Sequence, residues 1–70
     1  MTGKSEALLR RPEVEARTGL SRSELYRRIA QGDFPAPVKL GERASAWPAA
    51  EVDGWIAARI AERDAGRAAA

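Results

Sequence analysis

Residues 20–32 read LSRSELYRRIAQG and decide the fold of this 70-residue chain. Ser21 is a favoured helix N-cap, and Glu24 follows three residues later, which is the spacing of a capping box. Gly32 favours the left-handed conformation that closes many helices. These signals together predict a helix over residues 21–30, the most strongly specified element of the chain.

A shorter helix is predicted just before it, over residues 12–18. Pro12 suits the first turn of a helix, where its missing N–H group would have no partner, and Gly19 suits the cap that ends the helix. The two helices are then separated by about three residues, 19–21, which is the length and glycine content of a helix-turn-helix. Such units occur in DNA-binding proteins and in proteins that never contact DNA, so the spacing alone leaves both functions open.

Packing decides which side of the second predicted helix is exposed. Leu25 and Ile29 are four residues apart and share one face, so we expect both to point into the core. The N-terminal end of a helix that enters the major groove supplies base-reading residues. Arginine there can donate two hydrogen bonds to guanine, and the free N–H groups can hold a phosphate oxygen. The candidate DNA-binding residues of this helix are therefore Ser21, Arg22, Ser23, Tyr26, Arg27 and Arg28.

Each of these side chains also has a purely structural interpretation. An arginine such as Arg22 on an exposed helix face is often only solvated. Arg27 and Arg28 lie three and four residues after Glu24 and can pair with it, and the stem of Arg28 flanks the buried stripe and can pack there. Tyr26 can be a partly buried core residue instead of a phosphate contact.

The next segment, residues 33–48, reads DFPAPVKLGERASAWP and predicts a small β-hairpin. Its closely spaced prolines exclude a helix. Residues 38–40 alternate apolar and basic as a half-buried strand does, residues 41–43 suit a hairpin loop, and residues 44–47 would form the returning strand. Because an isolated two-stranded hairpin is unstable, we expect it to pack on a helix.

This hairpin adds a second basic element to the chain. If Val38 and Leu40 face the core, Lys39 faces away from it, and Arg43 lies at the tip. A wing of this kind would follow the phosphates or reach into the minor groove, whose negative potential attracts arginine; the alternative is a turn with solvated charges. Weaker candidates for backbone contacts are Lys4, Arg10 and Arg11.

A third helix is predicted over residues 48–63, because apolar residues recur there with helical period. We expect residues 1–7 and 64–70 to be flexible, which leaves residues 8–63 as a single domain. The predicted core of this domain consists of Leu9, Val14, Leu20, Leu25, Ile29, Phe34, Val38, Leu40, Trp47, Val52, Trp55, Ile56 and Ile60.

Composition argues against several classes of protein. The chain has no cysteine and no histidine, so it lacks disulfides, the commonest metal ligand and the commonest general base, and we expect no metal, no cofactor and no enzymatic activity. Its net charge of +2 and pI near 9.7 favour an anionic partner, although an ordinary solvated surface has the same balance. No apolar run is long enough for a membrane span or a signal peptide, so we expect a cytoplasmic protein.

Beyond these local patterns, the order of motifs over residues 14–56, VEARTGLSRSELYRRIAQGDFPAPVKLGERASAWPAAEVDGWI, resembles the AlpA family of small phage and prophage regulators. It is also similar to the related excisionases, or recombination directionality factors. The matching parts are the TGLSRS turn followed by Tyr26, the FPAPVKLG segment, Trp47 at the end of the wing, and the EVDGWI helix. They cover about residues 8–63, and their combination is specific whereas no single part is.

The resemblance implies a mainly α fold with a small β-hairpin, a winged helix-turn-helix related to the DNA-binding domain of MerR-type regulators. It implies direct binding of double-stranded DNA through the second helix and the wing. Proteins of this kind regulate transcription of an integrase or other element genes, or bend DNA at attachment sites to favour excision. Several of them bind as cooperative arrays on adjacent sites.

We therefore expect a sequence-specific DNA-binding protein of a mobile element or prophage, acting as a transcriptional regulator, an excisionase or both. Its expected partners are double-stranded DNA, further copies of itself on adjacent sites, and an integrase. The alternative is a protein-interaction module or small inhibitor that docks onto an integrase or polymerase.

Overall fold

In a computed structural model, which describes residues 7–69 and the side chains of residues 7–67, three helices surround a three-stranded antiparallel sheet. The strand order β1-β3-β2 places β3 in the centre. This arrangement confirms the predicted fold class, a mainly α winged helix-turn-helix. The elements in chain order are β1 (Leu8–Leu9), α1 (Arg11–Thr18), α2 (Arg22–Ala30), β2 (Val38–Gly41), β3 (Ala44–Pro48) and α3 (Ala49–Ala69).

The turn between α1 and α2 forms as its sequence predicts. Gly19 has a φ of 76° and donates its N–H to the Glu15 carbonyl at 2.8 Å, which ends α1. Ser21 then caps α2: its hydroxyl accepts from the Glu24 N–H at 3.2 Å, and the Glu24 carboxylate accepts from the Ser21 N–H at 3.0 Å. The capping box is therefore complete, and it fixes the start of α2.

The end of α2 is equally well defined. Gly32 has a φ of 77° and donates its N–H to the Ile29 carbonyl at 3.1 Å, while the Asp33 N–H reaches the Arg28 carbonyl at 2.8 Å. These two bonds form a Schellman motif, which needs a residue without a Cβ at the left-handed position. The predicted role of Gly32 is confirmed.

The sheet contains one strand that the sequence did not reveal. Leu8–Leu9 pairs with Pro48 and Trp47 of β3, so that the predicted hairpin becomes a three-stranded sheet. The carbonyl of Ala7 accepts a 2.8 Å hydrogen bond from the Ala49 N–H. This bond supplies a partner for one of the free N–H groups at the start of α3.

The core lies between the sheet and the three helices. Its buried residues include six of the predicted set, and Ala46 is buried as well. Four more predicted core residues, together with Ala49, are partly buried against this cluster. The six are Leu9, Val14, Leu25, Phe34, Trp47 and Val52, and the four are Leu20, Ile29, Trp55 and Ile56.

Three predicted core residues are wrong. Val38 is 44% exposed and Leu40 is 49% exposed, because both lie on the outer strand β2, which packs chiefly on β3. Ile60 is 46% exposed on α3, and the α3 side chains that follow it as far as Arg67 are all exposed. The helical period correctly predicts α3, but it does not show where the underlying core ends.

The predicted end of α3 is also wrong, because the helix ends at Ala69 and not near Arg63. Residues 64–69, which were predicted to lie beyond the helix in a flexible tail, continue the helix. Alanine has the highest helix propensity of all residues and no proline interrupts this segment, so a single Gly66 does not stop it. Within residues 7–69, no helix is both long enough and apolar enough to cross a membrane.

Candidate nucleic-acid interface

The exposed face of α2 lies opposite its buried anchor. Leu25 is fully buried, and Tyr26 and Arg27, which follow it in the chain, are exposed. Tyr26 is 41% exposed, so the alternative that it belongs to the core is wrong. The exposed candidates on this helix are Arg22, Ser23, Tyr26 and Arg27, and the capping residue Ser21 is exposed as well.

The basic residues of the described chain fall into two groups according to their ion pairs. One group is held by carboxylates within the fold, and its members are Arg11, Arg17, Arg28, Arg59 and Arg63. The other group makes no ion pair with any residue in 7–67, and its members are Arg10, Arg22, Arg27, Lys39, Arg43 and Arg67. Four of the five basic candidates for DNA contact on α2 and the hairpin therefore carry positive charge that no side chain of the described protein neutralises.

Arg28 is the exception among the predicted site residues. Its guanidinium pairs with Asp33 and lies 5.6 Å from the ring centroid of Trp55. Arg59 stacks on the same indole ring at 5.0 Å and contacts the same carboxylate at 3.5 Å. The structural interpretation of Arg28 as a packing residue fits this arrangement, which lies apart from the exposed face of α2.

Glu24 is engaged in capping and does not pair with the arginines that follow it. The pKa of Glu24 is lowered from its ordinary value, first because the Ser21 backbone N–H and hydroxyl hydrogen-bond to it. The positive charges of Arg27 and Arg28 lower this pKa further. Of these two arginines, Arg27 keeps a guanidinium without a carboxylate partner in residues 7–67.

A cleft of about 370 Å³ joins α2 to the wing. Residues of α1, α2 and β3 and of the segments just before α1 and β3 meet there, and the buried Trp47 forms part of the wall. The indole N–H of Trp47 donates to the Pro35 carbonyl at 2.9 Å, which fixes the ring behind the cleft. The lining residues are Arg10, Arg11, Pro12, Tyr26, Arg43, Ser45 and Trp47.

Lys39 belongs to the same side of the sheet as this cleft. It is paired with Ser45 across the β2–β3 ladder, and residues directly opposite each other in antiparallel strands project from the same face. Val38 and Leu40 are themselves 44% and 49% exposed, so the alternation along β2 does not by itself distinguish Lys39 from them. Lys39 is exposed because it lies on the outer strand β2.

The cleft also contains residues that sequence patterns undervalued. From sequence alone, Arg10 and Arg11 are only weak candidates for contacts with the DNA backbone. Two arginines directly before a helix-starting proline nevertheless indicate a concentration of positive charge at the start of that helix. Ser45 was not a candidate, because nothing in its sequence context distinguishes it from any other strand serine. Its place in the cleft depends on the pairing of β3 with two other strands.

The same chain matches a known family model over residues 7–60, the Prophage CP4-57 regulatory protein (AlpA). The chain belongs to the AlpA family. Among curated proteins, this AlpA-family chain is 49% identical over 61 residues to the "Uncharacterized protein ORF88" of Enterobacteria phage P4, an alignment that covers 87% of the chain and 69% of that relative. No solved structure matches it.

The extent of the AlpA match bears on the site. Residues 7–60 run from the residue before β1 into α3, so the match includes α2, the wing and every residue that lines the cleft. The protein is therefore a member of a family of prophage regulatory proteins, and its candidate interface lies wholly within the family region.

Proposed function

We propose that this AlpA-family protein binds double-stranded DNA in a sequence-dependent manner and regulates a prophage or related mobile element. The observation that carries the proposal is the distribution of unneutralised charge. Five of the six basic residues without an ion pair in the described chain lie on α2, on the wing or at the start of α1. Such a surface favours a polyanion, and the helix-turn-helix supplies a helix that fits the major groove.

In this proposal α2 enters the major groove with its N-terminal end first. Arg22 and Ser23 lie in the first turn of α2, where recognition helices contact base edges. The Arg22 guanidinium can donate two hydrogen bonds to guanine O6 and N7, and the Ser23 hydroxyl can bond to a base or a phosphate. Tyr26 and Arg27, one turn further on, bind the sugar-phosphate backbone.

The wing would follow the adjacent backbone or the minor groove. Lys39 and Arg43 are exposed on the hairpin, and neither has a carboxylate partner within the described residues. Contacts of this kind position a protein on the duplex and carry little sequence information. The proposed division of labour is therefore sequence recognition by Arg22 and affinity from the wing.

A single domain of this size buries only a modest area on DNA. We infer that several copies bind neighbouring sites, and that the array activates or represses element genes or bends an attachment site for excision. In the excisionase role, bending positions an integrase, and this protein performs no catalysis itself. The phage P4 relative places a similar chain in a mobile element.

The first experiment is a binding titration with duplexes from the genomic region around the gene, at several salt concentrations. Binding should weaken steeply as salt rises, because each phosphate contact releases counterions. If no duplex binds at low salt, or if the affinity is indifferent to salt, the proposal is wrong.

Arg22→Ala and Arg43→Ala test the division of labour. Arg22→Ala should reduce discrimination between the specific duplex and a random one by about 1–3 kcal/mol, whereas Arg43→Ala should weaken both duplexes alike. Arg67→Ala is the matched control, since Arg67 also lacks an ion pair with residues 7–67 but lies far along α3. Equal losses of discrimination for Arg22→Ala and Arg43→Ala would contradict the assignment.

The excisionase role is tested separately by end-to-end fluorescence energy transfer on labelled duplexes carrying one, two or three sites. An increase in bending with site number, together with cooperative binding, is expected for an array. Straight, non-cooperative complexes would leave the protein as a transcriptional regulator without the excisionase role.

A further inference from the structure

We propose that the cleft between α1, α2 and the wing is a seat for a single phosphate group, with Arg10 and Ser45 as binding residues beside Tyr26 and Arg43. The proposal deepens the DNA-binding function above and rests on it for the natural ligand, a phosphodiester of the nucleic-acid backbone. The cleft would hold one particular phosphate of the backbone, whereas a general basic surface would attract many phosphates without preferring any of them.

The first argument is the charge of the lining. Three guanidinium groups, those of Arg10, Arg11 and Arg43, line one cleft, and no carboxylate of residues 7–67 lines it. Of the three, Arg11 alone has a carboxylate partner in the described chain, Glu15 at 2.9 Å. Clustered like charges repel each other unless an anion lies between them, so the cleft is electrostatically complementary to an anion.

The second argument is the set of donors. Arginine offers a planar fork of N–H groups that suits phosphate oxygens, and the hydroxyls of Tyr26 and Ser45 add two further donors at the same cleft. A phosphodiester has two non-bridging oxygens that share one negative charge, and two ester oxygens, so it can use more of these donors than a carboxylate can. The buried Trp47 in the wall also limits water on one side, which strengthens each charged hydrogen bond.

The third argument is the origin of the lining residues in the fold. Arg10 lies between β1 and α1, Tyr26 lies on α2, and Ser45 lies on β3. A phosphate held there would contact the first helix, the proposed recognition helix and the wing at once. Because phosphate contacts fix the orientation of a protein on the duplex, this seat would set the position of α2 in the groove.

The decisive experiment combines Arg10→Ala with single methylphosphonate linkages, each of which removes the charge of one phosphate in the bound duplex. In the wild type, one linkage should weaken binding by roughly tenfold, as for the loss of a charged hydrogen bond. In Arg10→Ala the same linkage should have little further effect, and the slope of log affinity against log salt should fall by about one. Arg67→Ala is the control and should retain the full effect of that linkage.

A second measurement uses inorganic phosphate alone, so that it does not depend on DNA. Phosphate should raise the Tm of the wild type above its value in chloride of equal ionic strength, because a ligand that binds only the folded state stabilises it. Arg10→Ala and Arg43→Ala should each reduce this increase, and circular dichroism checks that the variants are folded.

The outcomes separate the two proposals. If duplexes bind but every methylphosphonate has the same effect in wild type and Arg10→Ala, the seat is wrong and the DNA-binding function stands. If no duplex binds but phosphate stabilises the protein through Arg10 and Arg43, the seat is supported and the DNA-binding function is wrong. If Arg10→Ala changes neither duplex binding nor the stabilisation by phosphate, the proposed phosphate seat is wrong.

Discussion

Arg27 and Arg28 are adjacent in the chain, yet they lie in two regions that differ in ion pairing. Arg27 is exposed on α2, and it has no carboxylate partner among residues 7–67. Arg28 points to the side where α2 meets α3, between the Asp33 carboxylate and the Trp55 ring. In this fold the neighbouring carboxylates and aromatic rings, and not the residue type, decide which arginines remain available to a ligand.

The two tryptophans show the same division between regions in the core. Trp47 is fully buried beneath the cleft, whereas Trp55 is half-buried beside the neutralised arginines and donates to the Asp33 carbonyl at 2.6 Å. Phe34 packs edge-on against Trp55 with ring centroids 5.1 Å apart. The cleft side therefore depends on the fully buried Trp47, whereas the Trp55 cluster on the α3 side combines the buried Phe34 with partly exposed side chains.

The largest expected effect comes from Trp47→Ala. This change should reduce the free energy of unfolding by about 3–5 kcal/mol, because it removes a fully buried aromatic side chain. A domain of 70 residues has little more stability than that. Urea unfolding followed by circular dichroism measures the loss. Trp55→Ala is the comparison and should cost clearly less; an equal or larger cost would show that the α3 side carries the core.

The next effect is that of Ser21→Ala, which should reduce the free energy of unfolding by about 1 kcal/mol. The substitution removes the hydroxyl that accepts the Glu24 N–H at the start of α2. DNA affinity should fall with it, since the base-reading end of the helix would fray. Ser23→Ala, on the exposed face two residues later, is the matched control for stability. Indistinguishable unfolding curves for the two variants would contradict a capping role.

Arg28→Ala and Arg27→Ala test the opening comparison most directly. Arg28→Ala should reduce the free energy of unfolding by about 0.5–1 kcal/mol, through loss of a half-exposed ion pair and a cation–π contact. It should leave the DNA affinity of the folded protein unchanged. Arg27→Ala should do the reverse, with stability preserved and affinity reduced at low salt. Matching results for the two variants would remove the distinction between the regions.

The smallest expected effect is the pH dependence contributed by Glu24. Its pKa is lower in the folded protein than its ordinary value, so its stabilising contribution is fully present above the unfolded pKa and is lost as pH falls through the folded pKa. Unfolding measurements from neutral to acidic pH should therefore show a larger fall in stability for the wild type than for Glu24→Gln. The glutamine can still accept the Ser21 N–H but does not titrate. Superimposable pH profiles would show that the carboxylate charge contributes nothing.

Local signals in the sequence were sufficient for the helix-turn-helix. The capping box at Ser21 and the glycines at residues 19 and 32 act within a few residues, and all three form as predicted. The face of α2 was also predictable, because the inward position of Leu25 determines which neighbours are exposed. Local hydrogen bonds and the helical period are thus sufficient to predict which residues of α2 are exposed.

The sheet was less predictable, because its features depend on pairing between distant residues. Leu8–Leu9 is too short to show an alternating pattern, and it becomes a strand only beside β3, some forty residues later. Alternation suggested that Val38 and Leu40 face inward, but an outer strand has too little covering it to bury them. The cleft residues Arg10 and Ser45 were undervalued for the same reason, since α1, α2 and the wing come together only in three dimensions.

The short strand β1 has a mechanical consequence for the wing. Because β3 is hydrogen-bonded on both edges and the Ala7 carbonyl is bonded to the first residue of α3, the hairpin cannot swing as a hinged flap without breaking one of these connections. The wing is therefore braced before any ligand arrives, and little conformational entropy remains to be lost when it docks. Disrupting the pairing of Leu8–Leu9 with β3 would make the wing flexible. The dissociation rate from its target would then rise more than the association rate would fall.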